Sequence, residues 1–168
     1  MSNDTSGSNG PQSSLDELIA HRECENLSNL YARYFDFKEA ERLQELFAED
    51  GALILSMAEL KSAKAVSEFA VHREKEMAKG IGGGRKGGPA LGGRHITTNF
   101  QFELIDADHA RATAYLHLYV YEGDGTADNI DLSSLMPRML GVFHDKYVRT
   151  KDGWRFQQRI LTQTTRVV

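Results

Sequence analysis

Apolar residues recur at steps of three and four from Ala20 through Cys24, Leu27 and Tyr31 to Tyr34 or Phe35. That spacing predicts one amphipathic helix of about five turns, opened by Ser14 ahead of Leu15 and Glu17. A shorter helix is predicted over 38–47, with Leu43, Leu46 and Phe47 inward, and Glu49-Asp50-Gly51 closes it. Residues 52–57 read as a short strand. Ser62 then caps a third helix with the stripe Val66, Phe69, Ala70 and Met77. Near residue 94 the period falls from 3.6 to two, which predicts strands over 94–105, 110–122, 138–150 and 154–167. In the second of these, Ala112, Ala114, Leu116, Leu118 and Val120 share one face, and Thr113, Tyr115, His117, Tyr119 and Tyr121 the other. Asp106 to His109 make a turn, and Lys151-Asp152-Gly153 a tight hairpin. Helices followed by strands imply an α+β fold. Three N-terminal helices would pack in a curved, mainly antiparallel sheet whose open end forms a pocket.

Composition narrows the class. A chain of 168 residues, 40% hydrophobic and 26% charged, suits one domain over 14–168. Residues 1–13 have no apolar residue after Met1 and read as a disordered tail. Twenty Lys and Arg are dispersed and the net charge is −4, so no nucleic-acid partner is expected. No apolar run is long enough for a bilayer, and no secretory signal is visible, so no membrane partner is expected. The single cysteine, Cys24, has no internal partner, which fits a reducing cytoplasm most simply, with a bacterial periplasm as the alternative. Eight of the fifteen glycines fall in 80–93. This stretch departs from the Walker pattern, since Lys86 is followed by Gly87; it reads as a mobile connection or a lid over a pocket.

Three residues carry candidate chemistry: Tyr31, Asp36 and His95. A carboxylate can orient an imidazole and stabilise its cation, and a phenol can polarise a carbonyl. Elimination beside a carbonyl needs such a set: a base for the carbon-bound proton, a donor to the oxygen and an acid for the leaving hydroxyl. Structural readings stand beside this one. Asp36 would merely end the helix, Tyr31 would be a core residue and His95 a strand histidine. Two geometric conditions apply. On an ideal helix Tyr31 and Asp36 point about 140° apart, so they converge only if the helix ends or kinks between them. Strict alternation groups His95 with Thr97 and Asn99, opposite Phe100 and Phe102, so His95 faces the helices only through a bulge near Thr97-Thr98. The six histidines, at 21, 72, 95, 109, 117 and 144, form no His-x-x-x-His pair, and no metal or other cofactor is called for. Asp145 and Arg149 share a strand face and would pair.

The stretches Tyr31-Ala-Arg-Tyr-Phe-Asp36, Leu43-Gln-Glu-Leu-Phe47, Arg94-His95-Ile-Thr-Thr-Asn99 and Asp145-Lys-Tyr147 with the hairpin to Trp154 resemble the SnoaL-like, nuclear-transport-factor-two-like superfamily over about 15–165. The nearest chemistry resembles scytalone dehydratase, bile-acid 7-alpha-dehydratase and hexachlorocyclohexane dehydrochlorinase. The resemblance assigns catalytic roles to His95, Asp36 and Tyr31. The last-strand arginine of the bile-acid enzyme aligns with Gln163. Arg159, four residues earlier on the same strand face, and His117, in the neighbourhood of that enzyme's second sheet carboxylate, are the candidate substrate-binding groups. The resemblance implies a cofactor-independent lyase or isomerase acting on a small apolar cyclic molecule such as a steroid, polyketide or aromatic intermediate. The alternative is a non-catalytic binding domain or an accessory subunit like the dioxygenase beta subunits. Self-association is expected through the Thr113-to-Tyr121 face, as a trimer or, next, a dimer.

Overall fold

The computed structural model describes residues 11–79, 91–123, 133 and 135–166. Helix α1 runs Pro11–Asp36, and its inner stripe of Ala20, Cys24, Leu27, Tyr31 and Tyr34 is buried. It begins three residues before Ser14, so 11–13 belong to the helix backbone rather than to a tail; residues 1–10 lie outside the described region. Its end is a Schellman turn: Lys38 adopts φ 58, and the Glu39 N–H donates to Tyr34 O at 2.9 Å.

The predicted second helix is a 310 segment, Ala40–Leu46. Its buried residues are Ala40, Leu43 and Leu46, every third one, which suits the three-residue turn of a 310 helix. Among its described residues the N-terminal half therefore holds two α-helices and a 310 turn. Helix α2, Ala63–Ala78, starts as expected: the Ala65 N–H donates to Ser62 Oγ at 3.1 Å.

Among the described residues six strands form one mixed sheet: β1 Phe47–Leu55, β2 Ala58–Leu60, β3 Leu91–Leu104, β4 His109–Glu122, β5 Met136–Thr150 and β6 Gly153–Arg166, in the order β2-β1-β6-β5-β4-β3. All pairings are antiparallel except β1 with β6. Glu49-Asp50-Gly51 does not close a helix but bulges inside β1, whose pairing jumps from Phe47↔Phe156 to Ala52↔Gln158. A Cβ on Gly51 would lie 2.6 Å from Phe156 O, so only glycine admits this approach. Gly153, at φ 99, closes the β5–β6 hairpin. Residues 80–90 and most of the predicted 123–137 loop lie outside the described region.

The core lies between the helices and the inner sheet face: Leu43, Leu53, Val66, Leu116, Phe143, Tyr147 and Phe156 are all essentially inaccessible. Ala110, Ala112, Ala114 and Leu116 of β4 face inward as expected. The opposite face departs from the expectation: Tyr115 is exposed, but Tyr121 is fully buried against Gly92. Among the described residues no helix is long and apolar enough to cross a membrane.

Candidate active site

Asp36 occupies the last position of α1, where the macrodipole disfavours a negative charge by about 0.3–1 kcal/mol. Helix stability therefore does not explain an aspartate here, and its partners do. Asp36 Oδ1 lies 2.7 Å from His95 Nδ1, and the His95 backbone N–H reaches Oδ2 at 2.9 Å and Oδ1 at 3.1 Å. An ionised carboxylate only accepts, so Nδ1 carries the proton and donates it. Both carboxylate oxygens are spent on His95. Nε2 is left as the basic nitrogen and has no hydrogen bond to a described residue. The His95 side chain is 19% exposed and that of Asp36 7%, so the pair is sheltered but its ring is reachable.

A bulge turns His95 toward α1. Pairing of β3 with β4 runs through Thr98↔Tyr115 and resumes at Gln101↔Thr113, so Asn99 and Phe100 oppose the single residue Ala114. Asn99 absorbs the kink at φ 55, a left-handed conformation that asparagine tolerates better than most residues. As a result His95 and Phe100, five apart, contact the same helix. The His95 ring lies 5.5 Å from Phe35, and Phe100 stacks on His21 at 5.6 Å. The bulge sits two residues beyond the expected Thr97-Thr98.

Tyr31 does not join the pair. Helix α1 continues unbroken through Asp36, so the two side chains diverge as ideal geometry requires. The Phe35 ring stands between Tyr31, 5.0 Å away, and His95. Tyr31 instead packs under Arg159, whose guanidinium centre is 4.4 Å from its ring. Burial, outweighing the nearby Arg159 charge, pushes the Tyr31 hydroxyl far above its usual range, so it remains a protonated donor.

Arg159 is wholly buried. Its Nε and Nη2 each donate at 2.8 Å to Asp145, Nη2 also reaches Ser28 Oγ at 2.8 Å, and Nη1 has no partner. Phe143 and Phe156 flank the guanidinium at 4.0 and 4.3 Å. Burial is the largest single influence and works against this charge, but the charge and hydrogen bonds of Asp145, together with Tyr147 and Tyr31, outweigh it and hold Arg159 cationic. The expected Asp145–Arg149 pair does not form. Asp145 and Arg159 are direct cross-strand neighbours, whereas residues four apart on one strand are about 13 Å apart. Tyr147 donates to Asp145 at 3.0 Å and completes a buried polar cluster that sequence reasoning missed. Its signal was the Asp145-x-Tyr147 spacing on one strand face.

His117 lies on the other side of the sheet. Leu118 pairs with His95 and His117 with the exposed Ile96, so His117 belongs to the outer face. Two hollows open on the described surface, about 320 Å³ beside Ser14, His21 and Phe100, and about 680 Å³ around Arg111, His144 and Lys146. Neither of these two touches Tyr31, Asp36 or His95. Among the described residues no three His, Cys, Asp or Glu side chains cluster to hold a metal ion.

A six-stranded mixed sheet with a long helix packed against it is the α+β cystatin-like fold. The chain belongs to the SnoaL-like domain family, whose profile matches residues 16–160. An NTF2-like protein of cystatin-like fold from Novosphingobium aromaticivorans superposes with a TM-score of 0.70 at 20% identity, covering 94% of this chain and 92% of that one. A provisionally assigned scytalone dehydratase from the same organism gives 0.66 at 18%, covering 92% and 90%. LinA gives 0.68 at 18%, covering 90% of each chain. At these identities the likeness concerns the fold. No curated protein matches the chain.

Proposed function

We propose that this protein is a cofactor-independent acid–base lyase or isomerase acting on a small apolar cyclic molecule, with His95 as the proton-transfer group and Asp36 as its anchor. The observation that carries this reading is the double grip of Asp36 on His95, which commits Nδ1 as donor and frees Nε2. Nε2 takes a proton from carbon beside a carbonyl, Asp36 supports the imidazolium, and the same nitrogen returns the proton to a leaving hydroxyl. General acid–base groups of this kind supply about 10²–10⁴-fold each. Tyr31, kept protonated by burial, serves from deeper in the interior as a hydrogen-bond donor to substrate oxygen and does not contact the imidazole. The likeness to a provisional scytalone dehydratase supports a dehydratase within this class.

The test is a screen of hydroxylated ring ketones for loss of water, with His95→Ala as the control. Binding without turnover in both proteins favours the accessory, non-catalytic reading. We also assign self-association, as a trimer or next a dimer, to the outer sheet face. There Ile96, Tyr115 and Leu140 are exposed apolar side chains on neighbouring strands around His117.

A further inference from the structure

We propose that Arg94 is a positioning residue that holds Asp36 in register with His95. The proposal rests on the reading of His95 and Asp36 as an acid–base pair. Two consecutive residues of β3 grip the two ends of one aspartate. Arg94 Nη1 donates to the Asp36 carbonyl oxygen at 3.4 Å and to Gly93 O at 2.8 Å. The His95 ring and backbone N–H hold the carboxylate of the same residue. The guanidinium centre is 4.8 Å from the Phe37 ring and 5.3 Å from that of Tyr121, and Tyr121 is fully buried. The cation thus lies in a slot between the helix end and the first residues of β3.

The last turn of a helix carries unsatisfied carbonyls and a partial negative charge. Asp36 adds a carboxylate there. The basic residue of that turn, Arg33, is drawn away to Glu39 at 3.4 Å. Arg94 supplies the missing cation from across the interface. Asp36 is the terminal helical residue, so fraying by one position would displace both of its oxygens from His95. The role is positional: Arg94 acts on the aspartate through its backbone, and the aspartate acts on the imidazole.

The experiment reads the tautomer of His95 by long-range nitrogen–proton NMR at pH 8, in the wild type, Arg94→Gln, Arg94→Lys and Asp36→Ala, with folding followed by circular dichroism. The wild type is expected to hold the Nδ1–H tautomer. Arg94→Gln is expected to lower that share at least about twofold while keeping the fold, and Arg94→Lys to restore most of it, because the lost element is a cation at a helix end. A wild-type tautomer in Arg94→Gln, or a loss that Arg94→Lys does not repair at all, overturns the proposal. Asp36→Ala separates the two readings. If it too leaves the tautomer unchanged, the pair itself is wrong; if it shifts the tautomer and Arg94→Gln does not, only the role of Arg94 falls.

Discussion

His95 and Asp36 lie 59 positions apart and meet twice, ring to carboxylate at 2.7 Å and backbone N–H to carboxylate at 2.9 Å. The second contact makes the first rigid. It ties the aspartate to the strand itself, so the imidazole and its anchor move together. The arrangement depends on Asn99, whose left-handed backbone inserts the extra residue that turns His95 toward α1.

Asn99 is therefore the first residue to perturb. Asn99→Val places a β-branched side chain at φ 55 and should destabilise the fold by about 1–2 kcal/mol, whereas Asn99→Gly should be tolerated. Deleting Asn99 should restore plain alternation, turn His95 away from Asp36 and remove any turnover. Chemical denaturation and the His95 tautomer check these outcomes.

The Asp145–Arg159 pair is buried on both sides. Asp145→Ala should cost about 3–5 kcal/mol, because it strands a buried guanidinium. Adding Arg159→Met should recover much of that loss. Urea denaturation of the single and double variants measures the coupling.

Glu74 gives a pH signature. Partial burial raises its carboxyl above the usual range, although the Ala40 N–H it accepts at 3.1 Å pulls the other way. A carboxyl raised on folding binds its proton more readily in the folded state. Stability therefore falls as pH rises from the unfolded value through the folded one, and the cost is full at neutral pH. Glu74→Gln keeps an acceptor for Ala40 and removes the charge. Its melting temperature should exceed that of the wild type at pH 7 by a small margin, and the difference should vanish near pH 4.

Self-association should run through Ile96, Tyr115 and Leu140. Sedimentation of the wild type at micromolar concentration should give a trimer or a dimer, and Tyr115→Glu should shift it toward the monomer. A clean wild-type monomer would contradict this assignment.

Much of the architecture was legible because two periods dominate the chain. The stripe through Ala20, Cys24, Leu27 and Tyr31 marks α1, and alternation through Ala112, Ala114 and Leu116 marks β4. The departures sit where a third term outweighs periodicity. Ala40, Leu43 and Leu46 fit either helical period over so short a span, and only packing selects 310. Glu49-Asp50-Gly51 has turn composition, but the neighbouring β6 backbone captures it as a bulge. Spacing suggested that His95 needed a bulge, while its place two residues further on depends on which residue accepts a left-handed backbone. Arg159 looked like a pocket residue because sequence lists charges without their partners. Its cross-strand neighbour Asp145 explains the burial.

The most direct test of the central claim is solvent deuterium exchange at the carbon beside the carbonyl of hydroxylated ring ketones, followed by proton NMR. His95 acting as base at Nε2 predicts exchange or water loss with the wild type, a rate reduced by about 10²–10⁴-fold in His95→Ala, and a smaller reduction in Asp36→Asn. Equal rates for wild type and His95→Ala, or binding of the ketone with no exchange in either protein, would contradict it.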